Sequence, residues 1–282
     1  MVRSFHHAAY SAERLAAERE SSVTLIVPAR ECAETIGPIA RILVSLMERG
    51  AVDQVLVVDA DSADGTAGIA AAEGAQVVSE HALMPQFGPV RGKGDAMWRA
   101  LSAARGDVVC FLDADSGFFG EHFACGPVGV LLFEPGVEFV KAYFQRPFHQ
   151  GGAFDGGRVT ELTARPLLRR FWPELSSLCQ PLAGEMAARR DLLCSLPFST
   201  GYAVETAMLL DIHAEVGARA IAQVDLDVRQ NDHKSLPALA PMADEVLAAV
   251  TARLERDGRL VSTGETHPIE RPPMATVLAA AA

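Results

Sequence analysis

In the first half of the chain, short runs of consecutive apolar residues alternate with segments whose apolar residues recur every three or four positions. Such runs are typical of buried strands, and such periodic segments are typical of helices. The predicted strands are 23–27, 54–58, 75–78 and 108–112, and the predicted helices are 35–48, 65–73 and 93–104. Strands that alternate with helices at this spacing predict right-handed crossovers and a mostly parallel sheet flanked by helices, which is the α/β class.

The second half is less regular. The expected elements are strands at 138–144 and 220–228, helices at 158–171, 202–216 and 239–254, and a glycine-rich loop at 150–157. The pattern is lost after residue 257, which predicts a mobile C-terminal tail over 258–282. Residues 1–21 are polar and helix-prone, which predicts a helical lead without the apolar core of a signal peptide. No apolar run reaches membrane-spanning length.

Composition and charge narrow the class of protein. The chain has 282 residues, of which 49% are hydrophobic and 22% are charged, so it is long enough for one large domain or two closely joined halves. A net charge of −11 argues against nucleic acid as a partner. Five cysteines, an odd number without zinc-binding spacing, indicate reduced thiols in a cytoplasmic protein.

Two aspartates, Asp113 and Asp115, directly follow the wholly apolar run at 108–112. The carboxyl ends of strands are where an open α/β sheet binds its ligands. Two acids this close together persist most easily with a divalent cation such as Mg²⁺ between them and a phosphate. A solvated turn after a strand would explain the same Asp-x-Asp pattern. On these residues alone both interpretations stay open.

Polar residues also follow the first two strands. Pro28-Ala29-Arg30 comes after the first strand, and residues 59–66 come after the second. In a parallel sheet these segments emerge at the same edge as Asp113. Asp64-Gly65-Thr66 equally fits a local helix cap. The chain lacks G-x-G-x-x-G and the Walker A motif after its first strand, so a dinucleotide oxidoreductase or a P-loop enzyme is not expected.

Two segments combine glycine with basic residues. Arg91-Gly92-Lys93-Gly94 precedes a predicted helix, where backbone amides and two cations suit a diphosphate. Residues 156–160 repeat the design with an arginine and a hydroxyl, which suits a phosphate or carboxylate. Ordinary surface loops are the alternative interpretation of both segments.

The chain resembles the GT-A glycosyltransferases at Val27-Pro28-Ala29, at residues 61–66 and at Asp113-Ala114-Asp115. More narrowly, it is similar to the glucosyl-3-phosphoglycerate synthases of actinobacteria and to the closely similar mannosyl-3-phosphoglycerate synthases. The resemblance spans about residues 22–255. The segments that carry the narrower resemblance are 91–99, 157–162, 164–168, 180–185, 201–205 and 222–226.

This resemblance implies a GT-A (Rossmann-like) fold, with a nucleotide-sugar-binding half at 22–145 and a smaller acceptor-binding half at 146–257. It implies transfer of glucose or mannose from UDP-glucose, GDP-glucose or GDP-mannose to the hydroxyl of 3-phosphoglycerate, with retention of the anomeric configuration. The cofactor would be Mg²⁺ or Mn²⁺. The product would be a glucosyl- or mannosyl-3-phosphoglycerate of the compatible-solute class, made by a cytoplasmic homodimer.

The same resemblance assigns residues to roles. The donor-binding residues would be Pro28, Ala29, Arg30, Glu31, Ser62, Lys93, Asp113, Ala114, Asp115, Tyr202 and Glu205. The acceptor-binding residues would be Gly157, Arg158, Val159 and Thr160, and the catalytic residues would be Glu205, Lys93 and Arg229. The metal ligands would be Asp115 and His233, with Asn231 as the alternative to His233. The chain departs from the family at Cys32, where a glutamate is expected. Glu31 or Glu34 would replace that glutamate in contacting the base, and the change leaves the choice between UDP and GDP open.

Two other functions share parts of this pattern. A sugar transferase acting on a polyprenyl phosphate would share the first half but would need membrane attachment. A non-catalytic protein that binds nucleotide sugars would bind the donor without releasing nucleotide when 3-phosphoglycerate is added. For the transferase itself, no carboxylate stands out as a nucleophile for double displacement, which favours front-face attack by the acceptor hydroxyl.

Overall fold

The computed structural model describes residues 2–146, 157–229, 235–261 and 268–281. The strands are β1 Arg3–His6, β2 Val23–Ala29, β3 Gln54–Asp59, β4 Gln76–Ser79, β5 Val108–Phe111, β6 Phe139–Gln145, β7 Met186–Arg189, β8 Phe198–Ser199, β9 Ile221–Val228 and β10 Glu270–Arg271. The helices are α1 Ala12–Glu18, α2 Ala33–Glu48, α3 Thr66–Ala72, α4 Lys93–Ala100, α5 His122–Phe133, α6 Arg165–Phe171, α7 Arg190–Ser195, α8 Val204–Val216, α9 Leu236–Arg256 and α10 Met274–Ala281.

Eight strands form one sheet in the order β1-β9-β6-β7-β5-β2-β3-β4, and β8 pairs separately with β10. Neighbouring strands of the large sheet run parallel except at β7, which is antiparallel to both β5 and β6. The predicted α/β class with a mostly parallel sheet is therefore confirmed. The antiparallel β7 joins the first half of the chain to the second within a continuous sheet.

The central strands are apolar on both faces because helices cover both sides of the sheet. Leu25 and Val27 of β2 belong to the core that includes Ile36 of α2. The intervening Ile26 belongs to the opposite core, with Trp98 of α4. This alternation follows from the two-residue period of a strand, and it explains why the sequence shows an unbroken apolar run there.

The N-terminal segment differs from the predicted helical lead over 1–21. Residues Arg3–His6 form β1, which runs parallel to β9, and the helix is limited to Ala12–Glu18. A short edge strand is half exposed, so its sequence carries no apolar run. The prediction also missed β7, because its two central alanines are poor strand formers and are buried there by the strands on either side.

Three helices differ from their predicted bounds by three residues or more, and α9 is one of them, since it begins at Leu236 instead of residue 239. Helix α4 ends at Ala100 instead of residue 104. In the predicted helix at 158–171, a π-helical stretch at Thr160–Ala164 precedes α6. Pro166 has no amide hydrogen to donate within the helix, which disturbs the regular α-helical hydrogen bonding at this junction.

The described part of the C-terminal segment is not the mobile tail that was expected over 258–282. Residues 270–271 pair with β8, and Met274 at the start of α10 is fully buried. Trp98 donates a 2.8 Å hydrogen bond from Nε1 to the Pro272 carbonyl. A few anchoring side chains hold this segment, and such anchors leave no periodic pattern in the sequence. Among the described helices, none combines the length and the apolarity that a membrane crossing needs.

Candidate active site

Polar residues from both halves of the chain meet at one edge of the sheet. Strands β2, β3 and β5 run parallel, so the segments that follow them emerge at the same edge. Strand β9 also ends there, which brings Arg229 to this edge. Strand β7 runs in the opposite direction and therefore begins there, directly after Glu185.

Arg229 lies at the centre of this group. Its NH1 donates to Asp113 Oδ2 at 3.0 Å and to Glu185 Oε1 at 2.6 Å. Its NH2 donates to Asp115 Oδ1 at 2.6 Å. The Arg229 side chain is only 3% exposed, and although burial opposes its charge, the surrounding carboxylates raise the pKa of its guanidinium. One buried cation thus fixes three acidic side chains.

Lys93 supplies the second cation. It is the first residue of α4, and its Nζ lies 2.7 Å from Asp113 Oδ1 and 2.8 Å from Glu205 Oε1. Glu205 stands in the first turn of α8 and is buried. Burial alone would raise the pKa of Asp113, but Lys93 and Arg229 outweigh it and hold that pKa well below its usual range. Asp113 is therefore ionised, with one oxygen on each cation.

Asp115 and Asp113 differ in their fitness to bind a metal. The side chain of Asp115 is 62% exposed, and one of its oxygens contacts Arg229. An exposed carboxylate at this edge fits a hard cation such as Mg²⁺ or Mn²⁺ whose other ligands are phosphate oxygens. Both oxygens of Asp113 already accept from cations, so Asp113 does not fit as a direct ligand. The other expected ligand, His233, and its alternative Asn231 lie outside the described residues.

Two buried charged residues of this site were not singled out from the sequence. Glu185 is fully buried, and among the described residues its Oε2 meets no hydrogen-bond donor. Burial and the nearby Asp113 carboxylate raise the pKa of Glu185 to about 6, against the attraction of Arg229.

Lys141 in β6 is also buried and donates to the Ala183 carbonyl. Burial, with the nearby Lys93 cation, lowers the pKa of Lys141 to about 8. A lysine inside an otherwise apolar strand was the available signal.

The segments after β2 and β3 are tied together. Ser62 Oγ accepts from the Glu31 amide at 2.9 Å and donates to Asp59 Oδ1 at 2.8 Å. Glu31 has a φ of +50° and accepts from the Ala63 amide at 3.0 Å. These contacts bring two of the predicted donor-binding residues, Glu31 and Ser62, together next to Pro28, Ala29 and Arg30.

Asp64 has a structural role in the described chain. Its Oδ2 accepts from the Ala33 amide at the start of α2 at 2.9 Å. Its Oδ1 accepts from the Thr66 amide at 3.0 Å and from Thr66 Oγ1 at 2.6 Å, at the start of α3. The helix-cap interpretation of Asp64-Gly65-Thr66 is confirmed.

The loop that carries the two aspartates is held from two sides. Ala114 is buried, and its carbonyl accepts from Thr35 Oγ1 in α2 at 2.6 Å. On the other side, a Cβ atom at Gly184 would clash with the Asp113 carboxylate. A glycine is therefore needed at 184 so that Asp113 can reach Lys93 and Arg229.

The glycines of the Arg91–Gly94 segment allow its backbone to pack closely against residues 199–201 of the same chain. The Gly201 amide donates to the Arg91 carbonyl at 3.0 Å, and a Cβ at Gly92 would press on the Gly201 backbone. A Cβ at Gly94 would clash with the Ser199 carbonyl. This close approach sets Lys93 beside Glu205.

The predicted acceptor-binding residues begin the helical segment that leads into α6. The Glu161 amide donates to the Gly157 carbonyl at 2.9 Å, Thr160 is buried, and Arg158 and Val159 lie between them in helical conformation. Helix α9 packs against the π-helix at Thr160–Ala164 and against the turn at Gly201–Ala203. The amide of the exposed Tyr202 donates to Glu245 of α9 at 2.5 Å. Residues 157–160 thus lie on the same side of the molecule as Tyr202.

Comparison with known proteins agrees with this architecture. The glycosyl transferase family 2 model matches residues 24–123. A glucosyl-3-phosphoglycerate synthase of Petrotoga mobilis is 40% identical over 92% of this chain and 83% of its own length. The enzyme of the same name from Mycolicibacterium paratuberculosis is 43% identical over 86% of this chain and 75% of its own length.

Solved structures are similar along nearly the whole chain. The crystal structure of mannosyl-3-phosphoglycerate synthase from Rubrobacter xylanophilus has a TM-score of 0.91 and 44% identity, covering 98% of this chain and 97% of that one. Glucosyl-3-phosphoglycerate synthase from Mycobacterium tuberculosis, crystallised with Mn²⁺, UDP-glucose and phosphoglyceric acid, has a TM-score of 0.83 and 38% identity, covering 98% and 99%.

The fold and the acidic, cation-bridged sheet edge define a glycosyltransferase of the GT-A class. Within that class the similarity covers nearly the whole chain, 98% of it in the structure from Rubrobacter xylanophilus. The chain belongs to the glucosyl-3-phosphoglycerate synthase family.

Proposed function

We propose that this protein transfers glucose or mannose from a nucleotide sugar to 3-phosphoglycerate, giving glucosyl- or mannosyl-3-phosphoglycerate. The observation that carries the proposal is the contact of Arg229 with Asp113, Asp115 and Glu185 in a chain of this family. The Mycobacterium tuberculosis structures with UDP-glucose and phosphoglyceric acid support UDP-glucose as the donor. The similarity to a mannosyl-3-phosphoglycerate synthase keeps a mannose donor as the competing choice.

The donor is proposed to lie along the carboxyl ends of β2, β3 and β5. Pro28, Ala29, Arg30, Glu31 and Ser62 would contact the base and nucleoside, with Glu31 in place of the glutamate that the family has at position 32. The Asp113–Ala114–Asp115 loop would contact the ribose and diphosphate. Tyr202 and Glu205 would border the transferred sugar, because Glu205 contacts Lys93 and Tyr202 lies in the turn directly before α8.

The cofactor is proposed to be Mg²⁺ or Mn²⁺, held by Asp115 together with His233 or Asn231. When bound, such an ion would offset negative charge on the diphosphate. Two properties of Asp115 support this assignment: its side chain is exposed, and its carboxylate oxygens are the hard ligands that these ions prefer. Homologous structures with Mg²⁺ and UDP, and with Mn²⁺ and UDP-glucose, support it further.

The leaving nucleoside diphosphate gains charge as its bond to the sugar breaks. Lys93 and Arg229 are fixed cations at the sheet edge, so they can stabilise that charge without rearranging. For the acceptor, Gly157, Arg158, Val159 and Thr160 would bind the phosphate and carboxylate of 3-phosphoglycerate, with the guanidinium as the main contact.

We propose that retention arises from front-face attack. The bond from the anomeric carbon to the phosphate oxygen breaks, the bond to the glycerate hydroxyl oxygen forms on the same face, and the hydroxyl proton passes to the departing diphosphate. Glu205 stabilises the oxocarbenium-like sugar or orients a sugar hydroxyl. Its 2.8 Å contact with Lys93 engages the carboxylate, which supports this role over that of a free nucleophile. A covalent sugar adduct trapped on Glu205 would overturn the front-face route.

The proposed activity is tested by mixing the protein with 3-phosphoglycerate and Mg²⁺ and adding UDP-glucose, GDP-glucose or GDP-mannose in turn. Nucleotide release and the mass of the phosphorylated product identify the donor.

Asp115→Ala is expected to abolish turnover, and Arg158→Ala is expected chiefly to raise the KM for 3-phosphoglycerate. Donor binding without nucleotide release in all three mixtures would reject the transferase in favour of a binding protein.

The assembly is also a proposal. We expect the protein to be a cytoplasmic homodimer. Helix α9 is the proposed interface element, because Leu236 and Leu247 of this helix are exposed. Light scattering after size-exclusion chromatography tests it. A Leu247→Glu variant should dissociate to a monomer, and an unchanged mass for this variant would exclude α9 from the interface.

A further inference from the structure

Two histidines and an aspartate lie close together beside edge strand β1, where it pairs with β9. His7 Nε2 is 2.6 Å from Asp227 Oδ2, and His6 Nε2 is 3.3 Å from Asp227 Oδ1. One ligand atom from each of the three residues lies within 4.8 Å of the other two. A single carboxylate therefore faces two imidazoles, one with each oxygen.

The local backbone holds this arrangement. In the β1–β9 pairing His6 lies opposite Asp225, and the Asp225 side chain accepts from the Asp227 amide at 3.0 Å. Asp227 itself has a φ of +64°, a left-handed conformation that is uncommon for residues with a Cβ but that aspartate tolerates better than most. The two imidazole rings stack with their centroids 4.6 Å apart.

His7 of this cluster also lines a cavity of about 260 Å³, together with His122, Glu121 and Cys125. The His122 ring lies 4.6 Å from the His7 ring, centroid to centroid. The cavity therefore offers space for water or a further ligand next to His7.

We propose that His6, His7 and Asp227 form a binding site for a divalent transition-metal ion, separate from the proposed catalytic ion at Asp115. Two imidazoles and one carboxylate on one side of an ion are a set that suits Zn²⁺, Co²⁺, Ni²⁺ or Fe²⁺ and leaves positions for water. Mg²⁺ prefers oxygen ligands, so this site discriminates against the ion proposed for catalysis.

Binding requires small rearrangements. Metal–ligand bonds of about 2.0–2.1 Å hold neighbouring ligand atoms farther apart than the 2.6 Å between His7 and Asp227, so that hydrogen bond is replaced by two bonds to the ion. A neutral His6 that binds through Nε2 carries its proton on Nδ1. It then gives up the 3.2 Å hydrogen bond from the Ala8 amide, which water can satisfy at this exposed position.

An ion at this site would connect the edge strand β1 to the end of β9, two residues before Arg229. Because the three ligands come together only in the folded chain, the ion would stabilise the folded state. The expected consequence is a higher melting temperature with Zn²⁺ or Co²⁺ at micromolar concentration, without a requirement for nucleotide sugar.

The test uses untagged protein that carries Asp115→Asn, which removes the proposed catalytic ligand. Equilibrium dialysis against Co²⁺ alone, read by metal analysis and by the visible absorption of bound Co²⁺, should give about one ion per chain. Adding His7→Ala or His6→Ala should weaken binding more than about tenfold and abolish the thermal shift. Circular dichroism checks that each variant is folded.

His213→Ala in the same background is the matched control, since His213 also pairs with a carboxylate, Glu174, at 3.1 Å, but belongs to no three-ligand group among the described residues. It should bind Co²⁺ like its parent. Absence of bound Co²⁺ in the Asp115→Asn protein would overturn the proposal. Equal Co²⁺ affinity in the His6 and His7 variants and in the control would overturn it as well.

Discussion

At the scale of single residues, the site is a group of acidic side chains in contact with the buried guanidinium of Arg229. Asp113 and Asp115 were predicted because they follow a fully apolar run at a strand end, and the resemblance to GT-A glycosyltransferases decided between a ligand site and a solvated turn. Glu185 and Lys141 were not predicted, because a charged residue in a strand sequence is usually on an exposed face. In the fold, β7 pairs antiparallel with β6, and both residues are fully buried.

The raised pKa of Glu185 predicts a pH-dependent penalty on stability. Burial raises this pKa from the ordinary 4.5 to about 6, so between these pH values the folded state keeps a proton that the unfolded state has lost. Stability therefore falls as pH rises through 4.5 to 6, by about 2 kcal/mol for a shift of this size. Glu185→Gln removes this contribution.

Chemical denaturation of the parent and of Glu185→Gln at pH 4.5 and pH 7 measures the effect. The free energy of unfolding of the parent should fall relative to that of the variant between these pH values. The exposed Glu20→Gln is the control and should follow the parent. Parallel pH profiles for the parent and Glu185→Gln would contradict the assignment.

Gly184→Ala should disable the site through Asp113. The added methyl group displaces the carboxylate from Lys93 and Arg229, because it would occupy the same space. We expect kcat to fall more than about tenfold and stability to fall by about 1–3 kcal/mol. Steady-state kinetics and thermal unfolding measure both.

Gly68→Ala is the matched control, because Gly68 is an exposed helical residue with open space around its Cβ position. It should keep full activity and gain slightly in stability, since alanine favours helix. Normal kcat in Gly184→Ala would show that Asp113 need not occupy its observed position.

At the scale of elements, the strands with unbroken apolar runs were predictable and the strands that depend on their neighbours were not. Strands β2, β3, β4 and β5 were predicted to within two residues. Strand β1 is short and half exposed, and β7 is rich in alanine, so tertiary pairing decides both. The segment with β10 and α10 is held by a few anchors, of which Arg271 is the main polar one.

Arg271→Ala should destabilise the fold. Arg271 NH2 donates to the fully buried Asp95 at 2.6 Å, and Nε donates to it at 2.9 Å. Removing the guanidinium leaves Asp95 with Arg99 and one backbone amide. We expect a loss of about 3 kcal/mol in the free energy of unfolding, measured by urea denaturation.

Arg41→Ala is the control for this experiment. Arg41 also forms a two-contact pair, with Glu73, but on the exposed surface, where solvent screens the interaction. Its removal should leave the urea midpoint unchanged. Equal midpoints for the Arg271 and Arg41 variants would contradict an anchoring role for the C-terminal segment.

At the scale of the whole molecule, the common direction of the parallel strands brings the site residues to one edge of the sheet. The α/β class and the shared edge of β2, β3 and β5 followed from the alternation of strands and helices. The meeting of Arg229 with that edge required the relative order of β5, β7, β6 and β9, which the spacing of elements does not specify. The resemblance named Arg229 as catalytic, and the fold explains how a residue so distant in sequence contacts Asp113.

We propose above all that this sheet edge, with a divalent ion at Asp115, transfers a sugar to 3-phosphoglycerate with retention. The most direct measurement is NMR of the product formed from the α-linked donor and 3-phosphoglycerate by the parent and by Asp115→Asn, each with Mg²⁺ and with chelator. We predict an α-linked glycosyl-3-phosphoglycerate from the parent with Mg²⁺ and none in the other three samples. A β-linked product, or equal turnover by Asp115→Asn, would contradict it.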